Sequence, residues 1–338
     1  MKIQYNWYVG IDVSKLTIDV AVQNLEQTDV SHSKFLNNEN GHNDMLCWVK
    51  EITSNKLLHC LFCLEHTGVY CLPLTYFLSK RGLNYTLQNG LQVKRTTGIY
   101  HRGKTDKTDA SMLAKYANEK SKQIKLNQPP IDCVIKLKAL LSFRERLVKS
   151  KVALQNASKE LASFTDKKVH LLIETETKDE VSSIKSSLKK IDKEILKVIN
   201  SDADVKKTFD LMLSVTGVGL QIASYIIVYT NNFTVFSNWR KFACYCGLAP
   251  FEYSSGTSIR RRTRTSKMAN RKLKAIIGNG ATSALLVDKE LLAYYNRKLK
   301  EGKHKLLIIN NIKNKMISRI FATVKRGTPF VRLNQYAS

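Results

Sequence analysis

"NWYVGIDVSKLTIDVAVQN", residues 6–24, holds two runs rich in β-branched and aromatic residues on either side of a short break at Ser14 and Lys15. Each run alternates at the two-residue period of a strand, so the pair predicts two consecutive strands. "SHSKFLNNENG" (31–41) predicts a third strand that ends in a turn, and "DMLCWVKEI" (44–52) an amphipathic helix. "LLHCLFCLE" (57–65) follows as a buried strand, then "LPLTYFLSKRG" (72–82) as a helix opened by Pro73 and stopped by Gly82. "LNYTLQN" (83–89) makes a fifth strand, "KRTTGIYHRGK" (94–104) a basic loop, and a helix begins near Asp106. Three strands followed by alternating helix and strand specify an α/β layer on a mixed sheet.

The chain has 338 residues, enough for two domains and a helical spacer. Pro129 and Pro130 punctuate the end of the α/β domain, and proline does not recur until Pro250, which permits long helices. Leu140, Leu147, Leu154 and Leu161 repeat at seven, with Phe143, Ala157 and Phe164 on the adjoining seam. Val181, Ile184, Leu188, Ile191, Ile195 and Val198 continue at 3–4 spacing. This pattern predicts an antiparallel helical hairpin or coiled coil, either a spacer and dimerisation arm or a hairpin that packs only on itself, since seam spacing does not fix partners. Beyond it, "LMLSVTGVGLQIASYIIVYT" (211–230) reads as two apolar helices around a tight turn, like a helix-hairpin-helix element. Gly217 and Gly219 could present backbone N–H groups to a phosphate there, or could merely let the helices pack closely. The expected division is an α/β domain over 1–128, a helical arm over 129–205 and a mainly α domain over 206–338.

Composition narrows the function. At 43% hydrophobic and 25% charged, the chain is neither disordered nor membrane-like. No apolar run reaches the roughly 18 residues of a membrane span, and the N-terminus enters a strand pattern directly. The expected location is therefore cytoplasmic, in association with the nucleoid. Fifty-five Lys+Arg against 28 Asp+Glu leave a formal charge of +27, which calls for a polyanionic partner such as nucleic acid. Seven cysteines scattered through apolar stretches fit a reducing compartment. "HCLFCLEH" (59–66) mimics a metal finger, but on a strand Cys60 and Cys63 point to opposite faces and cannot share a zinc ion.

Against this positive background four acids stand out. Asp12 interrupts an apolar strand, and Glu65 closes another just before a glycine turn, a usual site position in α/β sheets. Asp106 and Asp109, in "KTDKTDASMLAKYA" (104–117), lie side by side on one helix face, where like charges repel. Helix capping explains one of that pair and only partly the other. Four oxygen donors from two strands and a helix could converge on Mg²⁺, with Mn²⁺ as a substitute, for phosphoryl transfer.

"GIDVSKLTIDVAV", "EHTGVY" and "KTDKTDASMLAKYA" resemble the Asp-Glu-Asp-Asp (DEDD) blocks of insertion-sequence transposases of the IS-one-ten type, also described as bridge-RNA-guided DNA recombinases. "SVTGVGLQIASYI", "FSNWRKFACYCGLAP" and "YSSGTSIRRRTRTSKMANRKLK" resemble, in the same order, the second domain of that family. The resemblance implies a RuvC-like, RNase H-like domain whose catalytic, metal-binding acids are Asp12, Glu65, Asp106 and Asp109. It also implies a nucleophilic serine in the element after "GLAP"; Ser255, before Gly256, is the matching position, with Ser254 beside it. One departure is Ala269, where the family usually carries glycine. The implied partners are double-stranded DNA, both element ends and target, a structured guide (bridge) RNA, and further copies of the chain as dimer to tetramer.

The eight Lys/Arg between Arg260 and Lys274 suit phosphate contacts beside that serine. Arg260, Arg261, Arg262, Arg264, Lys267 and Arg271 are assigned to nucleic-acid binding, and so, before Asp106, are Lys94, Arg95, His101, Arg102 and Lys104. Two other readings use the same residues: a metal-dependent nuclease or junction resolvase attacking with water, and a non-catalytic architectural DNA-binding protein. The last leaves four placed carboxylates without a purpose.

Overall fold

A computed structural model describes residues 4–25, 30–65, 68, 70–97, 105–127, 131–161, 164–236, 238–255, 259–266 and 269–331, with backbone alone for 91, 97, 253–255 and 259–262. It divides into two compact units, Met1–Pro130 and Ile131–Ser338.

In the first unit, β1 (Trp7–Val13), β2 (Thr17–Asn24) and β3 (Val30–Leu36) form an antiparallel meander. α1 (Glu39–Ile52) starts directly after β3, capped by Asn38, so the expected turn is a helix N-terminus. β4 (Cys60–Glu65) returns parallel to β1, α2 (Leu72–Lys80) follows, and β5 (Tyr85–Gln88) pairs parallel with β4. The result is a mixed five-stranded sheet of order β3-β2-β1-β4-β5. α3 (Gly90–Thr97) and α4 (Asp106–Lys120) complete the unit.

Strict alternation sends each strand's side chains into two cores, which explains why β1 and β4 read as nearly continuous apolar runs. Val9, Ile11, Cys60, Phe62 and Leu64 pack with Met45, Val49, Leu74 and Leu78 of α1 and α2. Tyr8, Leu61 and Cys63 face the other way, onto Leu113 and Tyr116 of α4. Cys60 and Cys63 thus lie in separate cores, and burial pushes both thiols up to about 12. Each fully buried aliphatic side chain contributes roughly 1.5–3 kcal/mol relative to exposure.

α4 approaches β1 at backbone distance. A Cβ at Gly10 would fall 2.1 Å from the Ala110 carbonyl oxygen and 2.3 Å from the Ala114 nitrogen. Ala21, Ala110 and Ala114 line the same seam, so small residues alone let the helix settle on the sheet.

The second unit opens with α5 (Asp132–Leu161) and α6 (Lys167–Asn200), an antiparallel pair joined by Arg144 Nε on Asp192 Oδ1 at 2.7 Å. The α6 seam matches the sequence pattern, with Val181, Leu188 and Ile195 buried. On α5 the buried apolar residues are Cys133, Val134, Leu137 and Leu141, at the root, where both helices enter the core of this unit. Phe143 (54% exposed) and Phe164 (88% exposed), expected on the seam, face outward. α7 (Ala203–Leu213), a tight turn and α8 (Leu220–Thr230) follow, then α9 (Trp239–Tyr245). The antiparallel hairpin β6 (Pro250–Ser255) and β7 (Ile259–Thr265) leads to α10 (Arg271–Val287), α11 (Lys289–Lys300) and α12 (Lys305–Arg326). Among the described residues no helix is long and apolar enough to cross a membrane.

Candidate active site and nucleic-acid surface

The last parallel pair between β1 and β4 is Ile11 with Leu64, so Asp12 and Glu65 are the next residues at the same end of neighbouring strands. Alternation puts Asp12 in phase with Tyr8 and Gly10, and Glu65 in phase with Leu61 and Cys63, all on the α4 side. The Gly10 contact seats the start of α4 over this edge, because Ala110, which touches Gly10, follows Asp109. Asp109 is 6% exposed, whereas Asp106, one turn earlier, is open to solvent.

Neither aspartate caps α4. Thr105 does so, its Oγ1 accepting from Thr108 N at 3.3 Å while Thr108 Oγ1 accepts from Thr105 N at 3.2 Å. The capping explanation for this acidic pair therefore gives way to a threonine capping box. Both acids sit in the first turn, where the helix dipole favours negative charge.

Glu65 leans on the start of α3. A Cβ at Gly90 would lie 2.1 Å from Glu65 Oε1, so only glycine leaves room for that carboxylate. Asp12, Glu65 and the first turn of α4 thus lie at one end of the sheet. Among the described residues no three His, Cys, Asp or Glu side chains form a group ready to hold a metal ion. The donor set is all oxygen, as hard divalent cations require.

A fifth acid, Asp19, went unremarked in the sequence. It pairs with Asp12 in register, is 6% exposed, and lies 3.3 Å from both Lys34 Nζ and His32 Nε2. Strand pairing brings it there, which local spacing does not reveal.

The basic residues divide among several elements. Lys94 and Arg95, expected on a loop, are exposed on the last turn of α3; His101, Arg102 and Lys104 lie outside the described residues. The run after the serine is not one helix. Arg260, Arg261, Arg262 and Arg264 are on β7, Lys267 lies outside the described residues, and Arg271 opens α10. Ser255 ends β6, with backbone register pairing Ser255 with Ile259, Ser254 with Arg260 and Tyr253 with Arg261. The arginine strand thus runs back beside the serine strand. Ala269 packs on Gly247, whose Cβ would sit 2.4 Å from the Ala269 methyl, so the departure from the family pattern is a close contact. Lys313 lies half-buried against Gly278, and burial and nearby Lys274 lower its pKa.

Gly217 and Gly219 differ in kind. Gly217 has φ +85°, and a Cβ there would lie 2.4 Å from the Gly280 carbonyl oxygen of α10. Gly219 is the N-cap of α8 without side-chain capping, and a Cβ on it would meet nothing within 4 Å. It opens on a cleft of about 740 Å³ lined by Arg144, Asp192, Gln221, Tyr225 and Lys272. Both cations there are paired, Arg144 with Asp192 and Lys272 with Glu145.

Residues 9–165, which contain all four acids, match a family described as "Transposase", the DEDD transposases of IS110. Residues 210–296, which contain Ser255 and the arginine strand, match the "Transposase IS116/IS110/IS902 family". Pilin gene-inverting proteins of Moraxella bovis and Moraxella lacunata are each 26% identical over 332 residues, spanning 96% of this chain and 97% of theirs. The "Insertion element IS110 uncharacterized 43.6 kDa protein" of Streptomyces coelicolor is 30% identical over 130 residues, 38% of this chain and 32% of its own. Together with the two-unit fold, these matches define a transposase, an enzyme that acts on DNA. Within that class the chain belongs to the IS110-type family.

Proposed function

We propose that this chain is the site-specific recombinase of an insertion sequence, cutting and rejoining DNA through a phosphoserine intermediate at Ser255. The observation that carries the reading is the shared edge: Asp12 and Glu65 end adjacent parallel strands on one face, beneath the first turn of α4 with Asp106 and Asp109. The strand order β3-β2-β1-β4-β5, antiparallel then parallel, supports an RNase H-like, RuvC-like reading of this domain. The four acids would hold Mg²⁺ or Mn²⁺. When bound, such an ion polarises phosphoryl oxygens and eases loss of a hydroxyl proton.

Ser255 Oγ attacks phosphorus, forming a phosphoserine ester and breaking one phosphate–oxygen bond, and the departing strand leaves as a hydroxyl end that takes up the proton. A new hydroxyl end reverses the step, restoring a phosphodiester and the free serine. The bond energy is conserved, so no ATP is required. The Moraxella relatives are named for inverting a pilin gene, and inversion demands rejoining, which favours this reading over hydrolysis. Arg260, Arg261, Arg262 and Arg264, on the strand beside Ser255, with Arg271, Lys94 and Arg95, would bind phosphates, and Gly219 would offer the open N-terminus of α8 to another. Phe164, Leu171 and Leu172, 88%, 64% and 62% exposed near the far end of the α5–α6 arm, support pairing of chains into a dimer or tetramer. Guidance by a bridge RNA rests on the family alone.

The test is a denaturing gel of labelled DNA incubated with protein, Mg²⁺ and the RNA that copurifies from its own host. The reading expects a protein–DNA adduct that disappears in Ser255→Ala and in Asp106→Asn. Cutting that persists in Ser255→Ala identifies a nuclease that uses water.

A further inference from the structure

The amide of Asn37, just past β3, is held through both its nitrogen and its oxygen. Nδ2 donates to the Ser14 carbonyl oxygen at 2.9 Å and to the Tyr70 carbonyl oxygen at 3.0 Å. Oδ1 accepts from His42 Nε2 at 3.0 Å, and the Asn37 backbone N–H donates to the Leu16 carbonyl oxygen at 2.8 Å. Ser14 comes two residues after Asp12, and Tyr70 five after Glu65. One side chain therefore ties the chain leaving β1 to the chain leaving β4, at the edge where the acids stand.

The tie is itself braced. His42 is 2% exposed, with its ring 5.2 Å from that of Phe77, and Asn38 caps α1 through Gly41 N at 2.9 Å, fixing the turn that carries His42. No other residue type reproduces the pattern. Aspartate would turn acceptors toward two carbonyls, serine has a single donor, and glutamine would displace both bonds by a methylene. Carboxylates that must converge on one cation repel each other until it binds, so their strand ends need a restraint from outside the charged set.

The geometry points to Asn37 as a positioning residue that holds the strand ends of Asp12 and Glu65 at a fixed separation for the metal and the DNA phosphate. This rests on the carboxylate reading above. The test compares full-length wild type with Asn37→Ala, and with His42→Phe, which keeps the aromatic packing but removes the donor to Asn37. The probe is Mn²⁺ alone, titrated by electron paramagnetic resonance, together with amide hydrogen exchange. Asn37→Ala should raise the Mn²⁺ dissociation constant about tenfold or more. Amides from Ser14 to Leu16 and around Tyr70 should exchange about tenfold faster, as two lost hydrogen bonds imply. His42→Phe should shift both in the same direction by less. Normal Mn²⁺ binding in wild type that is unchanged in both variants, with unchanged exchange, overturns the positioning role alone. A wild type that binds no Mn²⁺ overturns the carboxylate reading, and the positioning role falls with it.

Discussion

Asp12 and Asp19 stand directly opposite each other across the antiparallel β1–β2 ladder, and Lys34 Nζ and His32 Nε2 of β3 each lie 3.3 Å from an oxygen of Asp19. Lys34 thus serves Asp19 from β3, while Asp12 lies at the edge that α4 overhangs. Like charges so placed repel by roughly 0.2–1 kcal/mol, which Lys34 offsets at Asp19. The two aspartates should differ sharply in consequence. Asp12→Asn should lower adduct yield about a hundredfold or more. Asp19→Asn should stay within about threefold of wild type, since it removes a repulsion and no ligand. Quantified gels of the two variants side by side check this, and equal losses would contradict the assignment.

Gly10 should be intolerant of any side chain. Its Cβ would overlap main-chain atoms of α4, which cannot rotate away as a side chain can. Gly10→Val should cost about 3 kcal/mol in urea unfolding, at the upper end of overpacking penalties. Because α4 bears Asp106 and Asp109, the residual folded protein should also lose Mg²⁺-dependent cleavage.

His42 should make stability pH-dependent. Burial, then the Arg81 charge, lower its pKa from 6.5 to about 4, partly opposed by Glu39. The unfolded chain therefore binds a proton in that window that the folded chain refuses. Stability from this group is complete above about pH 6.5, falls as pH drops toward 4, and falls no further below it. The loss should reach about 3 kcal/mol, and His42→Phe should flatten it in urea melts across that range.

Gly217 and Gly219 should separate stability from binding. Gly217→Ala combines a positive φ with a clash on Gly280 and should cost about 2–3 kcal/mol. Gly219→Ala adds a methyl facing open space, so melting should hold. Gel-shift titration should show weaker DNA binding in Gly219→Ala if the start of α8 meets a phosphate, and unchanged binding removes it from the interface.

Local chemistry made much of this legible. Alternation gave the strands of the mixed sheet, Pro73 and Gly82 bounded α2, and the period-two rule separated Cys60 from Cys63. Pairing across the chain was not legible. Asp19 and Asn37 became neighbours of the site through strand register and loop contacts between distant segments. The helical placement of Lys94 and Arg95 is not legible because a basic stretch without apolar periodicity looks like a loop, yet α3 continues from Gly90 through them. The arginines of β7 carry no periodicity that fixes their element; backbone pairing with β6 places them on a strand. On α5, the leucine repeat marks a real helix; Leu140 packs against the core from its flank, while the residues buried at the root are Cys133, Val134, Leu137 and Leu141.

The central claim, that acids from β1, β4 and α4 share a divalent ion at a DNA phosphate, is tested most directly by anomalous diffraction from crystals of the protein with a DNA end and Mn²⁺. The account predicts an anomalous peak bounded by Asp12, Glu65 and the Asp106–Asp109 turn, beside a phosphate. Ordered DNA on the protein with Mn²⁺ absent from those four carboxylates, or bound elsewhere, would contradict it.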